Sequence, residues 1–354
     1  MKRKALTDQC CPNPNCFLQY KFGEGNIIRH TMYITQQGKR RRYRCKVCGK
    51  TFNSTWNTPY YRLHKPRREF DEVIRLTVEG VSISSIARVK QISRNTVSRW
   101  QEMASQYAER FSNHMLEDYG LFELQADELR TFVQNKRKVK WVFTVMEVWS
   151  RLWLSVVVGR RNFANVKLVL RKAVHNGKYM KRFLFTTDGF DPYAWAVKQI
   201  LLPLCVYGQV IKKRRKNRVV KVDRKLVYGT GSQIEKILDN SEDSKNLNTS
   251  YIERLNLTIR RGSAYLYRRS AYHAREEEYL RKHLALLQCY YNFVRPHRTL
   301  KFGNLVKTPA MQAGIVSRRL FFREIFTARL VIFLCVLVRV NNHRHIPDIR
   351  RLAA

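Results

Sequence analysis

From Arg67 onward, apolar residues recur at the helical spacing. Phe70, Val73, Ile74 and Thr77 fall on one face of a helix that Gly80 closes as a C-terminal cap. A second, short helix over about residues 84–90 follows Ser82 and turns Ile86 and Ala87 toward the first. Ser93 can cap a third, SRNTVSRWQEM, in which Val97 and Trp100 face inward. After Tyr119 and Gly120 the period shortens to that of strands. LFELQADELRTFV, KWVFTVMEVW and LWLSVVVGR read as three successive strands, the first two joined by the charged turn QNKRKVK. A helix near residues 162–174 leads to FLFTTDG, a short buried strand ending in Asp188 and Gly189. The helix PYAWAVKQIL and a last strand near residues 206–211 follow. Three meandering strands, helix, strand, helix, strand predict an α/β sheet of five strands flanked by helices, with strands one and four side by side.

The run NTSYIERLNLTIRR, residues 248–261, reads as a basic amphipathic helix with a single carboxylate, Glu253. Asn256 at i+3 and Arg260 two turns on share its face. One reading of Glu253 is a surface acid paired with Arg254 or Arg260, worth about 0.2 to 0.5 kcal/mol. The other is a ligand that holds a divalent cation against a phosphodiester. The two aspartates favour the second. Asp127 ends an apolar alternation on the first strand and Asp188 ends the fourth, so strand adjacency would set both carboxylates at one sheet edge, where they need a cation between them. Asp191 rivals Asp188 but precedes Pro192 as a helix cap would, and Glu128 is expected on the strand face opposite to Asp127.

Charge narrows the partners. The 354 residues carry 68 Lys and Arg against 27 Asp and Glu, a formal net charge of +41, which calls for a polyanion and favours nucleic acid over membrane. The longest apolar run, Leu330 to Val338, is too short to span roughly 30 Å of hydrocarbon, which takes about 20 helical residues. The start MKRKALTDQCC has no apolar signal core, so a cytoplasmic protein is expected, in which clustered cysteines suggest metal before disulfide. Cys45 and Cys48 in RYRCKVCGKTF form one knuckle and Cys11 and Cys16 in CPNPNC the other, with Cys10 as an alternative to Cys11. Together they suit a four-thiolate Zn2+ site in a zinc ribbon, where metal stabilises a segment with little core. Cys205, Cys289 and Cys335 stand singly in apolar stretches and read as core residues.

Up to Pro66 the chain holds 14 Lys or Arg against two acids, a composition suited to phosphate contacts. On the third helix, Arg94, Asn95, Thr96, Ser98 and Arg99 lie on or near the outer face, and such residues reach base edges and phosphates in a major groove; a plain three-helix bundle is the alternative. IKKRRKNRVVKVDRK has nine bases and one acid between Lys212 and Lys225. It reads as a solvated loop or as a DNA contact through Lys212, Lys213, Arg214 and Arg215.

The order Asp127, Asp188, Glu253, with Arg260 seven residues later, resembles the DDE motif of bacterial transposases and retroviral integrases. The strings ADELRTFV, TTDGFDPY, NTSYIERLNLTIRR, YYNFVRPHRTL and TPAMQAGI resemble transposases of the bacterial insertion sequence one family, over roughly residues 11–314. The resemblance implies a ribonuclease H-like catalytic domain at 113–314, preceded by a zinc ribbon at 1–66 and a helix-turn-helix domain at 67–112. It also implies cleavage of double-stranded DNA at element ends and transfer of the freed 3′-hydroxyl to target DNA. Two Mg2+ (or Mn2+) ions about 3.5 to 4 Å apart would serve both displacements, bridged by Asp127 and supported singly by Asp188 and Glu253. Arg260 would contact the phosphate beside the scissile bond. A homo-oligomer on DNA, in a prokaryotic nucleoid, is the implied assembly. The basic-hydrophobic tail 315–354 departs from the family, whose members usually finish soon after the TPAMQAGI position with a Trp-containing acidic stretch, and no role for it is legible. That departure keeps open a second reading, a DNA-binding regulator with a retired catalytic domain.

Overall fold

Short strands rich in Arg and Lys make the first unit of the computed structural model, which describes residues 6–35, 38–175, 177–178, 182–216, 218–268 and 272–328. Strands β1 (Ile27–Thr35), β2 (Gly38–Cys45) and β3 (Thr51–Asn53) pair antiparallel in that order. Their buried apolar cluster consists of Ile27, Phe52 and three cysteines, so little hydrophobic burial holds this sheet.

Three helices follow: α1 (Arg67–Val78), α2 (Ile83–Lys90) and α3 (Arg94–Met115). The Ser82 hydroxyl accepts from the Ser85 N–H at 3.1 Å and Ser93 from Thr96 at 3.1 Å, so both expected caps form. Between them Gln91 takes the left-handed conformation that closes α2. Phe70, Val73, Ile74, Ile86, Val97 and Trp100 are buried among the helices.

The central sheet comprises β4 (Glu123–Phe132), β5 (Val139–Glu147), β6 (Trp153–Gly159), β7 (Phe183–Thr187), β8 (Cys205–Arg215) and β9 (Arg218–Tyr228). Its order is β9-β8-β7-β4-β5-β6. The first and fourth strands, β4 and β7, are parallel neighbours. The sheet has six strands where the sequence suggested five. The basic run is no loop: it forms the β8–β9 hairpin, with Lys212 opposite Val222 and Arg215 opposite Arg218. Interspersed β-branched residues favour the strand, and pairing satisfies the backbone while the charges stay in solvent. Helices α4 (Phe163–Val174), α5 (Asp191–Ile200), α6 (Gly231–Asp239), α7 (Ser250–Arg261) and α8 (Glu277–Cys289) flank the sheet. Ion pairs Arg281–Glu109 and Lys282–Glu102, each 2.6 Å, tie α8 to α3.

The tail acquires a role as far as residue 328. Phe322, Ile325 and Phe326 on α9 (Phe322–Thr327) are buried, and the Phe326 ring lies 5.8 Å from Phe70 and 6.1 Å from Tyr60. Arg323 reaches the buried Asp71 of α1 at 2.8 Å. One hydrophobic core therefore runs from Tyr60 through the sheet to Ala328. Residues 329–354, including the apolar run 330–338 and Cys335, lie outside the described residues. No helix among the described residues is long and apolar enough to cross a membrane.

Candidate active site

Strand register decides where the acids meet. β4 and β7 run parallel with Glu123 opposite Leu184 and Gln125 opposite Thr186, and Asp127 and Asp188, each two residues beyond that last pair and Asp188 just past the end of β7, come to the same edge. Asp127 accepts the Glu128 N–H at 2.8 Å on one oxygen and the Asn256 side-chain N–H at 2.7 Å on the other. Asp188 accepts the Phe190 N–H at 3.1 Å.

A third carboxylate joins them. Oxygens of Asp127, Glu128 and Asp188 all lie within 4.8 Å of one another. The expectation that Glu128 points away is corrected, because alternation governs the Cβ direction while a carboxylate carried one methylene beyond Cβ can bend back. Arg161 draws it there, donating from Nε to Glu128 Oε1 at 2.6 Å. Burial pushes Asp127 up to about 6, and the nearby Asp188 and Glu253 charges add to the rise against hydrogen bonds from Glu128 and Asn256. Burial, with Asp188 beside it, pushes Glu128 up to about 7 despite Arg161. Asp188 is raised as well, again chiefly by burial. Such a set is short of positive charge, which is the condition a bound divalent cation relieves.

Glu253 stands apart from this cluster. Helix α7 is anchored to β4 where Gln125 accepts the Ile252 N–H at 3.1 Å, and Asn256 bridges Asp127 to the Thr144 hydroxyl, 3.1 Å away. The exposed Glu253 pairs with Lys212 of β8, and the Thr249 hydroxyl donates to it at 2.7 Å. Its partner is thus neither Arg254 nor Arg260. Glu253 shares a cleft of ≈ 790 Å³ with Asp127, Glu128, Asp188, Asn256 and Arg260. Arg260 is half-buried there, bonded to the Leu266 carbonyl at 3.3 Å, and burial and then Arg268 lower its pKa. The sequence shows Asn256 only as a face-mate of Glu253. Its spacing was the available signal, but its bond to Asp127 depends on how α7 docks on the sheet.

The cysteines also converge. Sulfurs of Cys11, Cys16, Cys45 and Cys48 lie within 4.8 Å of one another, with Cys11–Cys48 at 3.6 Å and Cys16–Cys45 at 3.8 Å. A tetrahedral zinc with bonds of about 2.3 Å sets its sulfurs about 3.8 Å apart, so the spacing fits that metal. Gly49, at φ +70°, makes the turn after Cys48. Cys10 is buried but outside the four.

Among solved structures, the chain aligns with a piggyBac transposase synaptic complex with hairpin DNA at 9% identity. That alignment covers 81% of this chain and 75% of that one, with a TM-score of 0.34. It also aligns with a pre-cleavage Mos1 transpososome at 11% identity over 64% of this chain and 78% of that one, with a TM-score of 0.19. Scores this low leave the fold to be judged on its own strand order. No family model matches the chain, and no curated protein matches it.

Of the DNA-binding candidates named from sequence, Lys212 lines the carboxylate cleft and those of α3 lie elsewhere. Arg94, Asn95 and Arg99 are exposed at the start of α3, while Thr96 and Ser98 are half-buried, Thr96 against the Ser93 hydroxyl. Arg94, Asn95 and Ser98 line a second cleft of ≈ 640 Å³ with Tyr265, Tyr272 and Lys282. Lys212 is engaged by Glu253, Lys213 meets Asp223 at 3.3 Å, and Arg215 is exposed on β8. The side chain of Arg214 lies outside the described set.

Proposed function

We propose that the protein is a DDE-type transposase with a ribonuclease H-like core, which cleaves DNA strands at the ends of a mobile element and joins them to a target. One observation carries this reading: Asp127 on β4 and Asp188 just past the end of the parallel neighbour β7 bring carboxylate oxygens within 4.8 Å of one another, in a cleft that Arg260, Arg261, Arg268 and Lys212 make basic. Acids gathered within a basic cleft suit a phosphodiester held by cations on its flanks and by metal at its reacting phosphorus.

The carboxylates fit Mg2+ or Mn2+, hard ions that take oxygen ligands, and Asp127, Asp188 and Glu253 are the residues proposed to hold them. When bound, two such ions activate the attacking hydroxyl and stabilise the leaving oxygen. Asn256 fixes the orientation of Asp127 through its 2.7 Å bond. Arg260 grips a phosphate oxygen beside the scissile bond, and Lys212 moves from Glu253 to the DNA backbone as the substrate arrives. Zn2+ at the four cysteines holds the N-terminal strands, whose arginines contact phosphates, while Arg94, Asn95, Thr96, Ser98 and Arg99 meet the duplex from α3.

The test is a supercoiled plasmid carrying the element ends, incubated with purified protein and Mg2+. Nicking is expected from the native protein and is lost in Asp127→Ala, Asp188→Ala and Glu253→Ala. Nicking that survives all three substitutions would sink the proposal. Binding to the ends with no Mg2+-dependent cleavage would favour the regulator reading.

A further inference from the structure

We propose that Glu128 is itself a ligand of the divalent cation held by Asp127 and Asp188, a carboxylate additional to the Asp127, Asp188, Glu253 set. The plainer account makes Glu128 a buried partner of Arg161 and nothing more. Its two oxygens argue otherwise. Arg161 bonds only to Oε1, through both Nε and a terminal nitrogen. Oε2 is buried with no hydrogen-bond partner among the described residues, and the side chain is 1% exposed. A carboxylate retained only for an ion pair would be expected to present both oxygens to the guanidinium fork or to another donor.

Arg161 cannot easily serve the second oxygen. Its guanidinium is stacked 3.8 Å from the Phe190 ring centroid and 4.8 Å from that of Trp141, which hold its plane. Glu128 lines the same cleft as Asp127 and Asp188, and oxygens from all three lie within 4.8 Å. An octahedral ion with bonds of about 2.1 Å spans ligand oxygens about 3 to 4.2 Å apart, so small side-chain rotations bring the three carboxylates onto one ion. Glu253, held by Lys212 and Thr249 across the cleft, is not needed for that first ion. The catalytic meaning of this site rests on the function proposed above, but its occupancy can be measured without DNA.

The experiment titrates Mn2+ into the full-length, zinc-loaded, DNA-free protein, counting bound ions by electron paramagnetic resonance. Glu128→Gln keeps the size of the side chain and an acceptor for Arg161, and thermal melting with circular dichroism checks its fold. The expected result is Mn2+ affinity lowered at least tenfold with zinc content unchanged. A folded Glu128→Gln protein that binds Mn2+ like the native one overturns the inference. Should that variant fail to fold, Glu128→Asp keeps the charge on a shorter arm: weaker Mn2+ binding supports the inference and native affinity overturns it. Mn2+ binding that depends on Glu128 in a protein that never nicks DNA leaves the inference standing and removes the transposase reading. Nicking with Mn2+ affinity indifferent to Glu128 does the reverse.

Discussion

Asp127 on β4 and Asp188, one residue past the end of the parallel neighbour β7 and sixty-one residues away in sequence, bring carboxylate oxygens within 4.8 Å of each other. Their closeness, with Glu128 inside 4.8 Å, makes the cleft sensitive to protons, metal and the residues that orient the carboxyl groups.

Protonation comes first. Burial holds Asp127 at about 6 and Glu128 at about 7 in the folded, metal-free protein, above their unfolded values near 4. Both shifts are upward, so the stability they contribute is complete below about pH 4 and lost as pH rises through 6 to 7. Asp127→Asn is therefore expected to raise the melting temperature relative to native protein at pH 8, by an amount that shrinks to nothing near pH 4. Melting curves of the two proteins without divalent metal, compared across that range, check this; parallel curves would contradict it.

Removing the second-layer hydrogen bond of Asp127 tests orientation apart from charge. Asn256→Ala leaves Asp127 and the Thr144 hydroxyl without their shared partner. Losses of about 10- to 100-fold are usual when a ligand's supporting bond goes, and Mg2+-dependent nicking should fall by that order while binding to element ends stays within about twofold. Nicking rates and gel shifts on the same preparations separate the two.

Zinc should matter at one end of the chain only. The N-terminal strands have a small apolar cluster around the cysteines, whereas the helices and central sheet share a continuous core. Strong chelators, or Cys45→Ser, are expected to abolish sequence-specific footprints while the central sheet retains its cooperative melt. Unchanged footprints in metal-free protein would count against zinc at these cysteines.

The segment beyond residue 314 is expected to be structural. Phe326 packs its ring against Phe70, Tyr60 and Tyr107, and Phe→Ala changes at buried sites cost about 3 to 5 kcal/mol. Phe326→Ala should lower the melting temperature by several degrees or more. Arg323→Ala, which removes the ion-pair partner of the buried Asp71 and keeps its Tyr60 hydroxyl, should lower it less because Arg323 is exposed. Melting unchanged in both variants would mean that the tail packing contributes nothing.

Local rules of the chain were sufficient for much of this architecture. Helical and strand periods, the Ser82 and Ser93 caps and the rule that a crossover returns beside its starting strand yield the helix trio, the adjacency of β4 and β7, and two aspartates at one edge. The spacing of Cys16, Cys45 and Cys48 with either Cys10 or Cys11 likewise points to thiols that meet, and the structure makes Cys11 the fourth. These features depend on residues a few positions apart or on topology, both of which a sequence displays. Tertiary structure alone decided the β8–β9 hairpin, where dense charge hides a strand pattern until a pairing partner exists. It also decided the partners of individual side chains: Glu253 with Lys212 across forty-one residues, Glu128 with Arg161, and Asp71 with Arg323 across the whole core. Such pairs follow from strand register and helix docking, which set distances of a few ångströms between segments whose separation along the chain carries no trace of them.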